Sequence, residues 1–315
     1  MKTLAERLHS LSLEKRKLYE RMLTGKETTK AVPEVFDLEA LQSFSLSENR
    51  TKAGTRKFYQ AINRQLSSTS FGELAAFLNY GYISDGSPQF ASLELPPHFI
   101  NRTSAQLVLE LIGECDLTGR HVLDIGCGRG GTLMVVERFF SSLVRVGIDL
   151  SPAAIAFCNQ AHRGSGTLFV EGDAEQLPFA SNSFDVITNV ESSHSYPAIK
   201  SFYSEVSRVL RPGGLFLYTD VFLQTEFEQN EELLRSAGFA FERKRDITHN
   251  VLLSCRETAA RRGRAFEEIH ERGVIQEFLG APESGTFAAM QSGAASYKLF
   301  KLRKGCGVTI ERTPR

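Results

Sequence analysis

Apolar residues occur in short runs along residues 121–304, and turn-forming residues separate the runs. Runs rich in β-branched residues predict strands, and apolar residues at three- to four-residue spacing between them predict amphipathic helices. The predicted strands are 121–126, 144–149, 167–171, 184–189, 213–221, about 238–247 and 294–303. The predicted helices are 131–141, 152–163, 197–209, 227–237 and a longer one near 255–279. This alternation is typical of an α/β fold in which helices cover both faces of a seven-stranded, mostly parallel sheet.

The chain before residue 121 has a different pattern. Helical spacing occurs in residues 1–24, from about 57 to 78, and in 98–113, whereas residues 25–55 are polar and mixed. The predicted organisation is an N-terminal helical arm and connector over 1–56, a helical cap segment over 57–120, the α/β domain over 121–304 with a helical lid insertion at about 249–293, and a C-terminal tail over 305–315.

Composition limits the partners of this chain. It has 37 Lys and Arg residues against 37 Asp and Glu residues, so no overall field attracts nucleic acid or an anionic membrane. Its five cysteines are scattered without a C-x-x-C pair, which argues against a disulfide framework and a zinc site. The N-terminus lacks the apolar stretch of a signal peptide, and no apolar run approaches the roughly 20 residues of a membrane span. We expect a soluble, cytoplasmic protein without a metal.

The most informative segment is V-L-D-I-G-C-G-R-G at 122–130. A buried strand runs into a turn where glycine lets the backbone approach a ligand, and a helix with free N–H groups should follow near Gly131. The glycines Gly126, Gly128 and Gly131 also satisfy the G-x-G-x-x-G pattern of nicotinamide dinucleotide proteins. Asp149, at the end of the second strand, fits either cofactor. The glycines alone therefore leave the cofactor open.

Three further features separate the two cofactors. Asp124 precedes the glycines, where a carboxylate would be repelled by a diphosphate but stabilised beside an amine or a sulfonium. Asp173, in E-G-D-A-E, can accept from an exocyclic amine, and the L-P-F and S-F-D-V-I segments lead to a fourth strand without a phosphate-binding feature. Together with V-L-R-P-G-G at 209–214, these motifs resemble those of the class I S-adenosylmethionine-dependent methyltransferases over about 120–222. The resemblance implies a Rossmann-like fold and S-adenosylmethionine as cofactor.

The same resemblance implies a set of cofactor contacts. They are Gly126, Gly128 and Gly130 at the methionyl part with Asp124 before them, Asp149 at the ribose hydroxyls, Leu150 against adenine, Asp173 with Ala174 at the adenine amine, and Asn189 with Val190 closing the site. Asp149 also ends a strand at the carboxyl edge of the sheet, where ligands bind in open α/β folds. Ordinary turn chemistry is the alternative for Asp149 and Asp173.

A looser resemblance extends over about 72–304. V-E-S-S-H-S-Y-P at 190–197 looks like the post-strand segment of small-molecule methyltransferases of the sterol, ubiquinone and natural-product group. N-Y-G-Y at 79–82 is similar to that group's aromatic entry motif, and D-I-T-H-N-V and the C-terminal S-G…L-R-K segment also resemble it. This places Tyr82 at the cofactor, although buried packing is the commoner environment of such tyrosines.

Transfer of a methyl group to a hydroxyl requires positioning and removal of a proton. His194 follows the fourth strand, and an imidazole can act as a base at neutral pH, so we predict it as the catalytic base. A hydrogen bond that positions the substrate or the loop is the alternative. Glu191 is expected to orient His194 or to contact the cofactor amine. His249 is a second candidate, as base or as a pocket-lining residue.

The predicted activity is methylation of a hydroxyl on a natural-product intermediate. Residues 11–23 look like the linker between modules of nonribosomal peptide and polyketide synthases, which implies a tailoring O-methyltransferase of that context, the microcystin type among them. The acceptor is expected to be a small molecule, free or bound to a carrier protein, and a homodimer is left open. Two alternatives remain: C-methylation of a sterol- or terpenoid-like molecule, in which Glu191, Tyr80 and Tyr82 would surround a developing cation, and a non-catalytic cofactor-binding partner of a synthase.

Overall fold

A computed structural model describes residues 51–305 except 69–71, 73–74, 87–92, 94, 97–98 and 265–271. Most of the predicted N-terminal arm, including the synthase-like segment at 11–23, lies outside the described residues, as does nearly all of the predicted C-terminal tail. No helix of the described residues is long and apolar enough to cross a membrane.

One seven-stranded sheet forms the centre of the structure. Its strands are β1 (His121–Ile125), β2 (Val144–Asp149), β3 (Leu168–Glu171), β4 (Phe184–Val190), β5 (Leu210–Leu223), β6 (Phe239–Asp246) and β7 (Ala295–Lys304). Their order is β3-β2-β1-β4-β5-β7-β6. Neighbouring strands among β1 to β5 are parallel, whereas β7 is antiparallel to both β5 and β6. The predicted Rossmann-like fold is confirmed.

Helices cover both faces of this sheet. They are α1 (Lys52–Ser68), α2 (Arg102–Ile112), α3 (Gly131–Phe139), α4 (Pro152–Ala161), α5 (Ile199–Val209), α6 (Gln224–Ser236), α7 (Thr248–Arg264), α8 (Arg272–Leu279) and α9 (Gly285–Ser292), with a short 3-10 helix at Ser193–Ser195. Successive residues of β1 belong to opposite cores, because Val122 packs with α2, α3 and α7 while Leu123 packs with α5 and α6. Alternation along a strand therefore places apolar side chains on both faces.

The parallel strands bring the sequence motifs to one edge. β1 is buried along its whole length because it lies between β2 and β4 and is covered on both faces. In a parallel sheet the carboxyl ends of the strands meet at the same edge, and ligands of open α/β folds bind there. The loops that follow Ile125, Asp149, Glu171 and Val190 therefore converge.

One helix prediction is wrong in its extent, and a second differs from the structure at its start. The helix expected from about 57 to 78 is α1, which covers 52–68, and residues 75–80 are not helical. The helix expected near 255–279 corresponds to α7 and α8, whose connection lies outside the described residues; α7 begins earlier than expected, at Thr248, and α9 follows before β7. α8 ends where Gly280 adopts a left-handed φ of 58° and Pro282 follows, a combination that stops a helix. The other helix and strand predictions within 121–304 differ from the structure only at their ends.

Candidate active site

A cleft lies at the carboxyl edge of the sheet, beside α1. Its lining comes from the glycine loop after β1, from the segments after β2, β3 and β4, from Val221 in β5, from residues 76–80, and from α1, α8 and α9. The predicted site residues that line it are Gly126, Gly128, Asp149, Leu150, Asp173, Ala174, Val190, Glu191 and His194. The structure thus brings most of the predicted residues together.

The glycine loop forms a close-fitting backbone wall of this cleft. Gly126 has a φ of 67°, and a Cβ atom there would lie 1.9 Å from the Ser192 hydroxyl, so only glycine fits. The Gly128 N–H donates to Oδ2 of Asp149 at 2.8 Å, which fixes the loop against the end of β2. Gly130 is not among the described lining residues; a Cβ there would collide with side chains at the end of α4 and in β3.

Asp149 is held by backbone donors at the end of β2. Its Oδ2 accepts from the Gly128 N–H, and its Oδ1 accepts from the Ser151 N–H at 2.8 Å. Burial raises the pKa of Asp149, and these two hydrogen bonds oppose the rise. Each carboxylate oxygen has a second lone pair, so Asp149 can still accept hydrogen bonds from a ligand.

Asp124 is buried at 1% exposure in β1 and is not among the described residues that line the cleft. Its Oδ1 accepts from the Thr188 hydroxyl at 2.7 Å. Burial raises the pKa of Asp124 to about 7; the Thr188 hydrogen bond opposes this rise, and the charge of Asp149 adds to it. A positive charge nearby would favour the ionised form.

Cations of α1 bind the acidic residues after β3. Lys52 Nζ lies 2.7 Å from Oδ2 of Asp173 and 2.5 Å from Oε2 of Glu175, and the Arg56 guanidinium lies 2.6 Å from Oε1 of Glu171. The hydrogen bonds to Asp173 and Glu175 raise the pKa of Lys52. These ion pairs hold α1 over one end of the cleft.

His194 forms a hydrogen-bonded pair with Asp220 at the other end of the cleft. Nδ1 of His194 lies 2.7 Å from Oδ1 of Asp220, and the side chains are 12% and 0% exposed. Burial alone would raise the pKa of Asp220, but the charge and hydrogen bond of His194, with those of Ser193 and Val221, hold it below its usual range. In the tautomer that carries the proton on Nδ1, His194 donates to this ionised carboxylate and Nε2 carries a lone pair.

Asp220 is the functional residue that the sequence analysis missed. Its Oδ2 accepts from the Ser193 hydroxyl at 2.6 Å and from the His194 N–H at 3.0 Å. The Ser193 hydroxyl lies 2.6 Å from that of Tyr218, which lies 3.1 Å from that of Tyr203. This buried chain of hydroxyls fixes the carboxylate behind the imidazole. A charged residue within the apolar run L-F-L-Y-T-D-V-F was the available signal.

Glu191 connects three parts of the structure at the end of β4. Its Oε2 accepts from the Tyr80 N–H at 2.8 Å and from the Tyr297 hydroxyl at 2.7 Å. Burial raises the pKa of Glu191 to about 7, and both of these hydrogen bonds oppose the rise. Glu191 is therefore fixed beside the cleft by the N-Y-G-Y segment and by β7.

Three predicted site residues lie elsewhere. Tyr82 is buried, and its hydroxyl accepts from Arg245 at 3.1 Å, so it packs in the core and not at the cleft. His249 is exposed in the first turn of α7 and is not among the described lining residues. Asn189 is fully buried, and its Nδ2 donates to the Ile125 carbonyl at 2.8 Å, which joins β4 to β1. Their side chains are therefore not among the described residues that line the cleft, and their predicted roles are not supported by this arrangement.

Known proteins resemble this chain in sequence. Residues 123–218 match the model of a family described as a methyltransferase domain. The chain is 42% identical over 232 residues to a fatty-acid O-methyltransferase of Mycolicibacterium smegmatis, covering 71% of this chain and 81% of that protein. It is 32% identical over 253 residues to a phthiotriol/phenolphthiotriol dimycocerosates methyltransferase of Mycobacterium tuberculosis, covering 79% and 91%.

Solved structures agree with the fold. A geranyl diphosphate C-methyltransferase from Streptomyces coelicolor, in complex with Mg²⁺, geranyl diphosphate and S-adenosyl-L-homocysteine, aligns with a TM-score of 0.56 and 18% identity. The alignment covers 78% of this chain and 98% of that chain, and at this identity it supports the fold alone. The two relatives in sequence are similar over most of their length and are both named methyltransferases. The chain therefore belongs to the class I S-adenosylmethionine-dependent methyltransferases that act on small molecules.

Proposed function

We propose that this chain methylates a hydroxyl oxygen of a lipid-like or natural-product small molecule, with His194 as the general base and Asp220 as the residue that orients it. The observation that carries the proposal is the 2.7 Å hydrogen bond between Nδ1 of His194 and Oδ1 of Asp220 at the cleft. A polyketide or nonribosomal-peptide intermediate is the acceptor that the sequence favours. One relative is named a fatty-acid O-methyltransferase and the other a phthiotriol/phenolphthiotriol dimycocerosates methyltransferase, so we extend the proposed acceptor class to lipid-like alcohols.

The proposed role of the protein is to take one proton. S-adenosylmethionine, when bound, supplies an electrophilic methyl group on a sulfonium. Asp220 accepts a hydrogen bond from Nδ1–H of His194, so the lone pair lies on Nε2. Nε2 can then accept the proton of the acceptor hydroxyl as the hydroxyl oxygen attacks the methyl carbon. The imidazolium that forms lies beside the ionised Asp220, which stabilises it.

The cleft fits the cofactor by the chemistry of its lining. We propose that Gly126 and Gly128 hold the methionyl part, where a Cβ at Gly126 would fill the space beside Ser192. Asp149 would accept from the ribose hydroxyls. For the adenine end, the proposed contacts are Leu150, Asp173 and Ala174, and Val190 at the end of β4 would close the site. All four residues line the cleft.

We expect the affinity for S-adenosylmethionine to rise about tenfold from pH 6 to pH 8, through Asp124. In the free protein its raised pKa keeps the proton on this carboxyl up to about pH 7, whereas a cofactor cation favours ionisation, so binding releases a proton. Affinity therefore increases with pH and levels off above about 7. Calorimetry in buffers of different ionisation enthalpy measures the release. Asp124→Asn should lose most of this dependence; an unchanged dependence contradicts the assignment.

A carboxylate acceptor is the second candidate. It is favoured by the 42% identity to a protein named a fatty-acid O-methyltransferase. A fatty-acid carboxylate is already ionised at neutral pH, so its methylation needs no base. The His194–Asp220 pair would then be required for positioning at most. The activity of a His194 variant on a fatty acid and on an alcohol therefore distinguishes the two candidates.

Product analysis tests the proposed function. The protein is incubated with S-adenosylmethionine carrying a ¹³C-labelled methyl group and, separately, with long-chain alcohols, hydroxylated polyketide-like molecules and fatty acids. We expect a methoxy carbon on an alcohol acceptor. A methyl ester as the sole product favours the second candidate, and a new C-methyl group contradicts both.

A further inference from the structure

Two atoms at the proposed acceptor end of the cleft make no hydrogen bond with the described residues: Nε2 of His194 and Oε1 of Glu191. We propose that Glu191 binds a second hydroxyl of the acceptor, so that the molecule methylated is a diol or polyol on an apolar skeleton. The inference rests on the proposed function, because it takes His194 as the partner of the hydroxyl that is methylated.

The backbone of Glu191 is held in a strained conformation. Its φ is 49°, in the left-handed region, and its N–H donates to the Thr219 carbonyl at 2.8 Å. Such a conformation costs on the order of 1–3 kcal/mol for a residue other than glycine and occurs preferentially at functional sites. The hydrogen bonds of Oε2 to the Tyr80 N–H and the Tyr297 hydroxyl fix the carboxylate at the end of β4.

One oxygen of this carboxylate is satisfied and the other is not. Oε2 accepts from the Tyr80 N–H and the Tyr297 hydroxyl, whereas Oε1 accepts no hydrogen bond from the described residues. Burial raises the pKa of Glu191 to about 7, although both hydrogen bonds to Oε2 oppose the rise. A carboxylate with a free oxygen beside an apolar cleft is stabilised strongly by a donor from a ligand.

The position of Glu191 favours the acceptor over the cofactor as the source of this donor. Tyr297, which bonds to Oε2, lies on β7, beyond β5 in the sheet order. The glycine loop and Asp149 follow β1 and β2, on the opposite side of β4. The Glu191 carboxylate is thus held towards β5 and β7, and β5 carries Asp220, the partner of His194.

The surroundings favour an uncharged, largely apolar acceptor. Tyr59, Tyr80, Val221 and Phe278 line the cleft, and the rings of Tyr59 and Phe278 pack edge to face. An aliphatic or polyketide-like skeleton can pack against such side chains.

The described cations that line the cleft are already engaged. Lys52 pairs with Asp173, Arg56 pairs with Glu171, and Arg129 bonds to backbone carbonyls. An anionic group on the acceptor would therefore meet carboxylates without an unpaired cation among the described residues. This is a further reason to expect neutral hydroxyls as the polar groups of the acceptor.

The test compares decane-1,2-diol with decan-1-ol, which differ by one hydroxyl. Their binding to the full chain saturated with S-adenosylhomocysteine is measured by calorimetry, so no turnover is needed. We expect the wild type to bind the diol at least tenfold more tightly, because a site built to bind a hydroxyl rejects an analogue that lacks it. In Glu191→Gln the preference should fall at least about threefold, because the two donors to Oε2 orient the amide oxygen towards themselves and leave an NH2 group in place of the charged oxygen. Tyr297→Phe, which removes a donor to Oε2 but leaves Oε1 intact, should keep it.

Three results would overturn the inference. They are a preference near one in the wild type, including the case in which neither compound binds; a preference that Glu191→Gln leaves unchanged; and a loss of S-adenosylhomocysteine affinity in Glu191→Gln without a loss of the diol preference. The last result would assign Oε1 to the cofactor amine. Failure of the proposed function has a different signature, because the diol would then bind preferentially and yield no methyl ether.

Discussion

A His194→Gln variant is expected to lose about 10²- to 10⁴-fold in kcat on a hydroxyl acceptor while it still binds S-adenosylmethionine. Glutamine is similar in size but cannot take the proton that the imidazole takes. Asp220→Asn should fall within the same range, because an amide at this position can donate to Nδ1 and so favours the wrong tautomer. Single-turnover rates measure the effect on the chemical step, and calorimetry with S-adenosylhomocysteine checks that the cofactor site is intact.

The matched control for this prediction is His249→Gln. His249 is exposed in the first turn of α7, so this substitution should leave kcat within about twofold of the wild type, as surface substitutions do. A carboxylate acceptor offers a second comparison, since a group that is already ionised should be methylated by His194→Gln at a rate much nearer the wild-type rate. Full activity of His194→Gln on an alcohol would refute the base assignment.

The glycine loop and the acidic strand ends could be predicted because each is a short motif that follows a strand. Parallel pairing then carries Gly126, Asp149 and Asp173 to one edge without further information from the sequence. His194 could be selected for the same reason, since it follows β4 directly. Local pattern and the general rule for parallel sheets therefore suffice for this half of the site.

The residues that sequence reasoning missed depend on long-range contacts. Asp220 meets His194 across 26 residues of chain, through the pairing of β4 with β5. Tyr80 and Tyr82 flank Gly81, which has a φ of 80°, and both rings are buried, but only Tyr80 lines the cleft. No periodicity in N-Y-G-Y distinguishes the two rings. Such assignments require the packed structure.

Arg129 is a second residue whose importance only the structure reveals. It occupies the variable position of G-C-G-R-G, yet its side chain is 1% exposed. Nε donates to the Ala75 carbonyl and Nη2 to the Gly72 carbonyl, each at 2.6 Å, and Nη1 donates to the Asn63 carbonyl at 3.3 Å. The guanidinium also lies 3.4 Å from the ring centre of Phe157. Burial lowers the pKa of Arg129 to about 10, so the cation persists at neutral pH.

We expect Arg129→Met to detach α1 and the segment at 75–80 from the glycine loop. Methionine leaves the carbonyls of Ala75 and Gly72 buried without a donor, and each unsatisfied group costs about 1–3 kcal/mol. A loss of at least 2 kcal/mol corresponds to about 30-fold faster amide exchange in residues 52–68. Lys52 lies on the same helix and pairs with Asp173, a proposed contact of the adenine amine. The affinity for S-adenosylhomocysteine should therefore fall as well.

The size of this effect in global unfolding depends on how cooperatively α1 unfolds. If α1 detaches before the sheet unfolds, the urea midpoint of the whole domain changes little and exchange accelerates in 52–68 alone; if both unfold together, the midpoint falls by the full amount. Arg138→Met is the matched control, because Arg138 is exposed on α3 and contacts only aromatic rings among its described partners. Equal exchange in the Arg129 and Arg138 variants would show that the buried guanidinium does not hold α1 in place.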